Sequence, residues 1–334
     1  MPAWLDTLRA GTVIPAHPLA LNDNGELDVR RQRALTRYYL DAGSGGIAVG
    51  VHTTQFPIRE AGLYKTVLEL AVNEMPETSI RVAGIVGRTE QAVREAETAA
   101  GLGYHAGLLS LSAFREGTDD EMIAHAAKVG EVLPLFGFYL QPAVGGRLLG
   151  VDFWRRFCEL KSVIAIKMAP FNRYQTLDVL RGVALSGRAG EITLYTGNDD
   201  HIVLDLMTEF HLDGAKLRIK GGLLGHWACW THASAKLYRR IQTREISAEL
   251  LTIAEEVTDM NAAIFDVKHN FHGCIAGIHE VLRRQGLLEG IRCLDPNEKL
   301  SPGQADEITR VSQAYPHLVD DDFVRDGLRR WLVP

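Results

Sequence analysis

Two kinds of hydrophobic spacing alternate along the chain. Short apolar runs rich in β-branched and aromatic residues occupy 12–16, 46–49, 81–86, 107–111, 135–140, 163–168, 192–195 and 215–219, eight in all. Each has the length and near-continuous apolar character of a strand covered on both faces. Longer segments of helical period lie between them, among them 28–42, 60–73, 89–100, 119–132 and 151–160. Within 66–72 and 92–100 the apolar positions fall three and four apart, the stripe of a helix packed on a sheet.

Local signals agree with the alternation. Thr89 reads as a cap for the helix that Glu90 begins, with Gly101 as its permissive end. Asp119, Asp120 and Glu121 put acids into a first helical turn, where the helix dipole favours them. Strands alternating with helices imply parallel pairing through right-handed crossovers. Eight such units within about 225 residues predict a closed α/β fold, the (β/α)8 TIM barrel. An open, doubly wound sheet is the rival, but after the first run the chain reads PAHPLALNDNG and not a glycine-rich nucleotide turn. Beyond about residue 240 the alternation stops, and 246–260, 266–285, 303–315 and 321–332 all read as helices. The expected organisation is a barrel over residues 1–235 and a C-terminal helical segment, 236–334, packed on it.

Composition changes this picture little but excludes several classes of function. Of 334 residues, 46% are hydrophobic and 23% charged, which is ordinary for a globular chain. The 36 basic and 42 acidic residues give a net charge of −6, without the basic stripe of a nucleic-acid binder. Arg30, Arg31 and Arg33 form the densest basic cluster, and their amphipathic surroundings predict a solvated helix face. No apolar run approaches the roughly 20 residues of a membrane span, and the first residues lack the layout of a signal peptide. Cys158, Cys229, Cys274 and Cys293 are widely spaced, as expected of buried thiols in a cytoplasmic protein.

Against that background Lys167 is conspicuous. It sits inside VIAIKMA, a run otherwise suited to burial on both faces. A buried ammonium is costly unless paired, and the cost is relieved when its pKa falls. A depressed pKa makes a lysine amine nucleophilic toward a carbonyl. A lysine at a strand end that snorkels to solvent or pairs with a carboxylate is the alternative. Tyr139 ends the preceding run, within reach of the lysine if it turns inward; a packed amphipathic tyrosine is the plainer reading.

In these residues the chain resembles the dihydrodipicolinate synthase and N-acetylneuraminate lyase superfamily of Schiff-base aldolases, as a divergent member. Tyr139, Pro142 and Gly146 keep the spacing of the family's Y-N-x-P segment and the glycine seven residues after its tyrosine. Ile166, Lys167 and Ala169 match its I-K-x-A strand, 28 residues beyond the tyrosine, and Gly197 with Asp199 matches a later G-x-D. Gly286, Arg292 and Pro296 are similar to its ending. The resemblance implies a lyase that forms an imine between Lys167 and a pyruvate-type 2-keto acid, with Tyr139 relaying protons. It implies Thr53 and Thr54 as carboxylate binders, no metal, no organic cofactor, and a homo-oligomer of two or four copies. A hydratase-aldolase, a sugar-acid dehydratase and a barrel that binds a keto acid without turnover remain alternatives.

The departures are as informative. The family's G-T-T-G-E segment is here Gly50-Val51-His52-Thr53-Thr54-Gln55-Phe56, so His52 enters as a candidate substrate-binding residue, or else as a satisfied barrel-lining histidine. The second relay tyrosine has no counterpart in 110–115, where Phe114 has the shape without the hydroxyl. The aldehyde-binding arginine is replaced by Val144, with Arg147 three residues displaced. These losses argue against dihydrodipicolinate synthesis itself. Three further groups are read as structural: the His226/His232 and His269/His272 pairs lack carboxylates at metal-binding spacing, Lys220-Gly221-Gly222 reads as a glycine turn before a phosphate cradle, and Asp199 reads as a helix N-cap.

Overall fold

A computed structural model describes residues 2–142 and 145–333. The order of elements is α1 (Ala3–Ala10), β1 (Val13–Pro15), α2 (Val29–Asp41), β2 (Gly46–Val49), α3 (Tyr64–Glu74), β3 (Ile80–Ile85), α4 (Thr89–Gly101), β4 (Ala106–Leu109), α5 (Asp119–Gly130), β5 (Leu135–Leu140), α6 (Val151–Glu159), β6 (Val163–Ala169), α7 (Arg173–Leu185), β7 (Thr193–Thr196), α8 (Ile202–Met207), β8 (Glu209–Leu212), β9 (Ala215–Leu224) and α9 (Thr231–Gln242). Four helices follow: α10 (Ala248–Ile264), α11 (Cys274–Arg284), α12 (Gln304–Ala314) and α13 (Asp321–Trp331).

Eight of the strands run parallel in the order β1-β9-β7-β6-β5-β4-β3-β2. The ring closes between β1 and β2: Gly45 N donates to Val13 O (3.1 Å), His17 N donates to Ala48 O (2.8 Å), and Ala16 bridges Ala48. The fold is therefore the TIM barrel with a C-terminal helical extension that the alternation predicts. Side chains of alternate strand positions divide into two cores, as the two-residue period requires. Ile14, Ala48, Val82, Leu108, Phe136, Ala165 and Leu223 fill the lumen. The opposite positions, such as Ile47, Ile85, Leu109, Ile166 and Leu194, pack outward on the helices. The helix α1, which the periodicity does not announce, lies at the other end of the lumen, where Leu8 joins the inner core and its carbonyl accepts from Tyr195 Oη (2.9 Å).

Several local expectations change. The eighth barrel strand is longer than 215–219 and is preceded by β8, which pairs with it antiparallel. Asp213 and Gly214 make that hairpin with φ of 46° and 80°, an Asp-Gly turn whose two left-handed residues match strand twist. Lys220-Gly221-Gly222 lies inside β9, with a register shift opposite Leu194 and Tyr195, so it is neither a turn nor a phosphate cradle. Thr89 is already helical; its hydroxyl lies 3.0 Å from His125 Nδ1, and the left-handed residue after α4 is Gly103 rather than Gly101. The acid-rich start of α5 is borne out as a reciprocal capping box between Thr118 and Glu121.

A division at residue 235 falls inside α9, the eighth barrel helix. The arginine-rich face of α2 is not simply solvated. Arg31 donates to Gly286 O (2.6 Å), Arg30 to Leu332 O (2.5 Å) and Arg37 to Trp331 O (2.9 Å) and Val333 O (2.7 Å), satisfying carbonyls left over at helix C-termini. Among the described residues no helix is long and apolar enough to cross a membrane.

Candidate active site at the barrel mouth

Strand β6 turns Ala165, Lys167 and Ala169 toward the lumen and Ile166 and Met168 toward the helices. Lys167 thereby stands near the carboxyl end of its strand, where barrel enzymes carry their chemistry. Its stem runs along Gly197: a Cβ at that position would lie 2.4 Å from Lys167 Cε, so only glycine leaves room. Nζ sits 4.6 Å from the centroid of the Phe138 ring, and among the described residues no hydrogen bond or ion pair holds it. Burial lowers the Lys167 pKa, an effect partly opposed by Asp199 and then Cys274. Burial likewise raises the Asp199 carboxyl, with Lys167 pulling the other way.

Asp199 is the chief correction to the sequence reading. It does not cap α8, whose N-cap is His201; it lines the lysine's cavity and accepts from His226 N (3.3 Å). Asn261 of α10 fixes the same residue by donating to its backbone carbonyl (2.6 Å).

His52, Thr53 and Gly197 also line the cavity with Lys167. Burial, aided by the lysine's charge, holds the His52 imidazole down at about 4, so it is neutral at physiological pH. Thr54 does not reach the cavity. Its fully buried hydroxyl donates to His17 O (2.7 Å) and accepts from Gly50 N (2.9 Å), stapling the loop that presents its neighbours. Beneath that loop Arg59 spans Gly50 O, Gly84 O and the Glu95 carboxylate, a half-buried clamp joining the ends of β2 and β3.

Tyr139 is not brought beside Lys167. The β5–β6 register sets Phe138 opposite Lys167 and Tyr139 opposite Met168, so the alternation that turns Phe138 inward turns Tyr139 outward. The tyrosine is fully buried against Trp154 (5.1 Å), and its oxygen accepts from Leu149 N (3.1 Å). Val144 lies outside the described residues. Arg147 is engaged by Gly117 O and Asp119, and Phe114 packs on His125 (4.6 Å). The histidine pairs do not converge: His232 stacks on Phe323 (4.0 Å), whereas His269 meets Asp266 (2.5 Å). Among the described residues no group of three or more His, Cys, Asp or Glu side chains is arranged to hold a metal ion.

The C-terminal helices supply a wall that sequence reasoning did not assign. Phe265, Phe271, Cys274 and Ile278 line the lysine's cavity beside Phe171. Phe171 and Phe271 lie 5.7 Å apart and both have left-handed backbone, with φ of 50° and 65°. Such a conformation costs about 1–3 kcal/mol per residue and persists only where the surroundings enforce it. Asp266 does so for the α10–α11 loop: its carboxylate accepts from Gly273 N (3.0 Å) and Ser301 Oγ (2.5 Å) and meets His269. An adjoining outer chamber of about 350 Å3 shares Gln141, Phe171, Asp199, Phe265 and Phe271 with the inner cavity.

Fold and site together define a (β/α)8 barrel whose mouth encloses one lysine under a helical cover. The chain belongs to the dihydrodipicolinate synthetase family, whose model matches residues 9–314. A 4-hydroxy-tetrahydrodipicolinate synthase of Thiobacillus denitrificans is 26% identical over 204 residues, covering 59% of this chain and 65% of that protein. A synthase of the same name from Bifidobacterium longum is 25% identical over 197 residues, covering 58% of this chain and 62% of that one. The matched stretch thus spans somewhat less than two thirds of either relative. Among solved structures, N-acetylneuraminate lyase from Fusobacterium nucleatum superposes with a TM-score of 0.75 at 16% identity, covering 92% of this chain and 99% of the other. Dihydrodipicolinate synthase from Bacteroides thetaiotaomicron gives 0.76 at 17%, with the same coverage. The structural likeness establishes the shared fold, and the low identities make the chain a divergent member of the family.

Proposed function

We propose that this protein is a lyase that forms a Schiff base between Lys167 and a pyruvate-type 2-keto acid. The observation that carries the reading is the lysine itself: a desolvated amine at the carboxyl end of β6, in a largely apolar cavity, with no ion pair on Nζ among the described residues. Burial favours the neutral amine, which attacks the keto carbon; the carbinolamine then loses water to give an iminium. Its positive nitrogen accepts the electron pair released when a bond to the neighbouring carbon breaks or a proton leaves that carbon. Thr53 and the adjacent backbone would hold the carboxylate. With Tyr139 turned outward, we assign proton movement at the imine to His52 and Asp199, which line the same cavity as the lysine. In this reading the working form is a cytoplasmic homo-oligomer of two or four copies.

Borohydride reduction in the presence of pyruvate, read by peptide mass spectrometry, tests the proposal. The expected result is a reduced adduct on Lys167, absent in Lys167→Ala while that variant retains its fold. No adduct in the unaltered protein would overturn the Schiff-base reading. The outward tyrosine favours a second reading, a barrel that binds keto acids without turnover. An adduct with no cleavage, condensation or dehydration of any keto acid would support it.

A further inference from the structure

We propose that the outer chamber receives a neutral aromatic group, so that the carbonyl partner exchanged at Lys167 is an aryl aldehyde rather than an anionic one. This rests on the Schiff-base reading and adds to it the chemistry of the second substrate. In the condensation direction, the enamine carbon of the lysine-bound keto acid forms the new carbon–carbon bond at the aldehyde carbon. The aldehyde oxygen takes a proton, and water hydrolyses the imine to return the amine.

Three observations converge on that partner. The chamber opens directly from the lysine's cavity and shares with it the rings of Phe171, Phe265 and Phe271. Two of those rings, Phe171 and Phe271, lie 5.7 Å apart at an interplanar angle of 49°, offering faces against which a planar group packs edge-on or offset. The polar wall does not suit an anion. Thr258 Oγ1 is already spent on Asp200 O (3.1 Å) and Ala254 O (3.0 Å), and Asn261 Nδ2 on Asp199 O (2.6 Å). The charged residues lining the chamber, among those described, are Asp199 and Asp200, so an anionic partner would meet carboxylates and no cation.

A trapping experiment that needs no turnover tests this. Borohydride adduct formation on the full chain is titrated with pyruvate, with 4-phenyl-2-oxobutanoate, whose ring would reach the outer chamber, and with 2-oxoglutarate, whose tail is anionic. Half-maximal trapping is expected at a concentration at least about tenfold lower for the phenyl acid than for 2-oxoglutarate. Phe271→Ser should reduce that preference about tenfold. Phe265→Leu, at ordinary backbone angles, tests the same wall should the first variant fold poorly. Equal trapping of the two acids, or tighter trapping of 2-oxoglutarate, would overturn the aromatic assignment while leaving the Schiff base intact. Absence of any adduct with pyruvate would instead remove the reading beneath it.

Discussion

At the residue scale, two neighbours of Lys167 make opposite predictions. Gly197→Ala places a Cβ 2.4 Å from Lys167 Cε and forces the amine out of line, so pyruvate trapping should be lost while the melting temperature changes little. Normal trapping in that variant would show that the lysine tolerates displacement. Tyr139→Phe removes the acceptor of the Leu149 amide, and an unsatisfied buried donor costs about 1–3 kcal/mol. Stability should fall by that order while the rate of adduct formation and its pH profile stay unchanged; a slower rate at unchanged stability would return the tyrosine to the chemistry. The lysine was legible because a charge in an apolar strand is costly wherever the strand lies. The direction of the tyrosine was not, because one step of register turns a side chain to the other face, and register belongs to the paired strands. Asp199 was misread for a related reason: a carboxylate after a strand and before a helix looks like a cap until the neighbouring lysine is placed beside it.

At the scale of elements, the alternating pattern located all eight barrel strands, with ends displaced by a few residues, and the longest errors fell at turns. The Asp-Gly pair at 213–214 carried a hairpin signal in the sequence, yet the four-residue β8 is too short and too exposed to announce itself by hydrophobicity. The α10–α11 loop is a tertiary device. Its left-handed residues at Asp266, Asn270 and Phe271 are tolerated because Asp266 ties the loop to Gly273 and Ser301. Asp266→Ala should lower stability by on the order of 3 kcal/mol, since bonds to a charged group are worth about 1.5–3 kcal/mol each and compensate one another only partly. It should also raise the pyruvate concentration for half-maximal trapping, because Phe271 and Cys274 lose their support. A stability loss measured by denaturant titration with unchanged trapping would confine the loop to a structural role.

For the whole molecule, the distribution of buried histidines predicts how stability responds to acid. Burial depresses His17, His226 and His279 to about 4, below the 6.5 of an exposed imidazole. Between those values the unfolded chain binds more protons than the folded one, so stability is fully present above pH 6.5 and falls as pH drops toward 4. Each histidine contributes up to about 1.4 kcal/mol per pH unit within that window. Urea unfolding at pH 7.0, 6.0 and 5.0 should show a steepening loss, and a flat profile would refute it. The same buried packing explains the division between what the sequence determined and what it could not. Periodicity and local cost, which are properties of a segment, settled the eight barrel strands, most of the helices, the fold class and the one anomalous lysine. The direction of Tyr139, the placing of Asp199 in the cavity of Lys167, and the aromatic wall brought by helices about a hundred residues downstream were decided only by the closed ring. Each depends on which distant segments the ring sets side by side, and contact across that distance leaves no periodic trace in the chain.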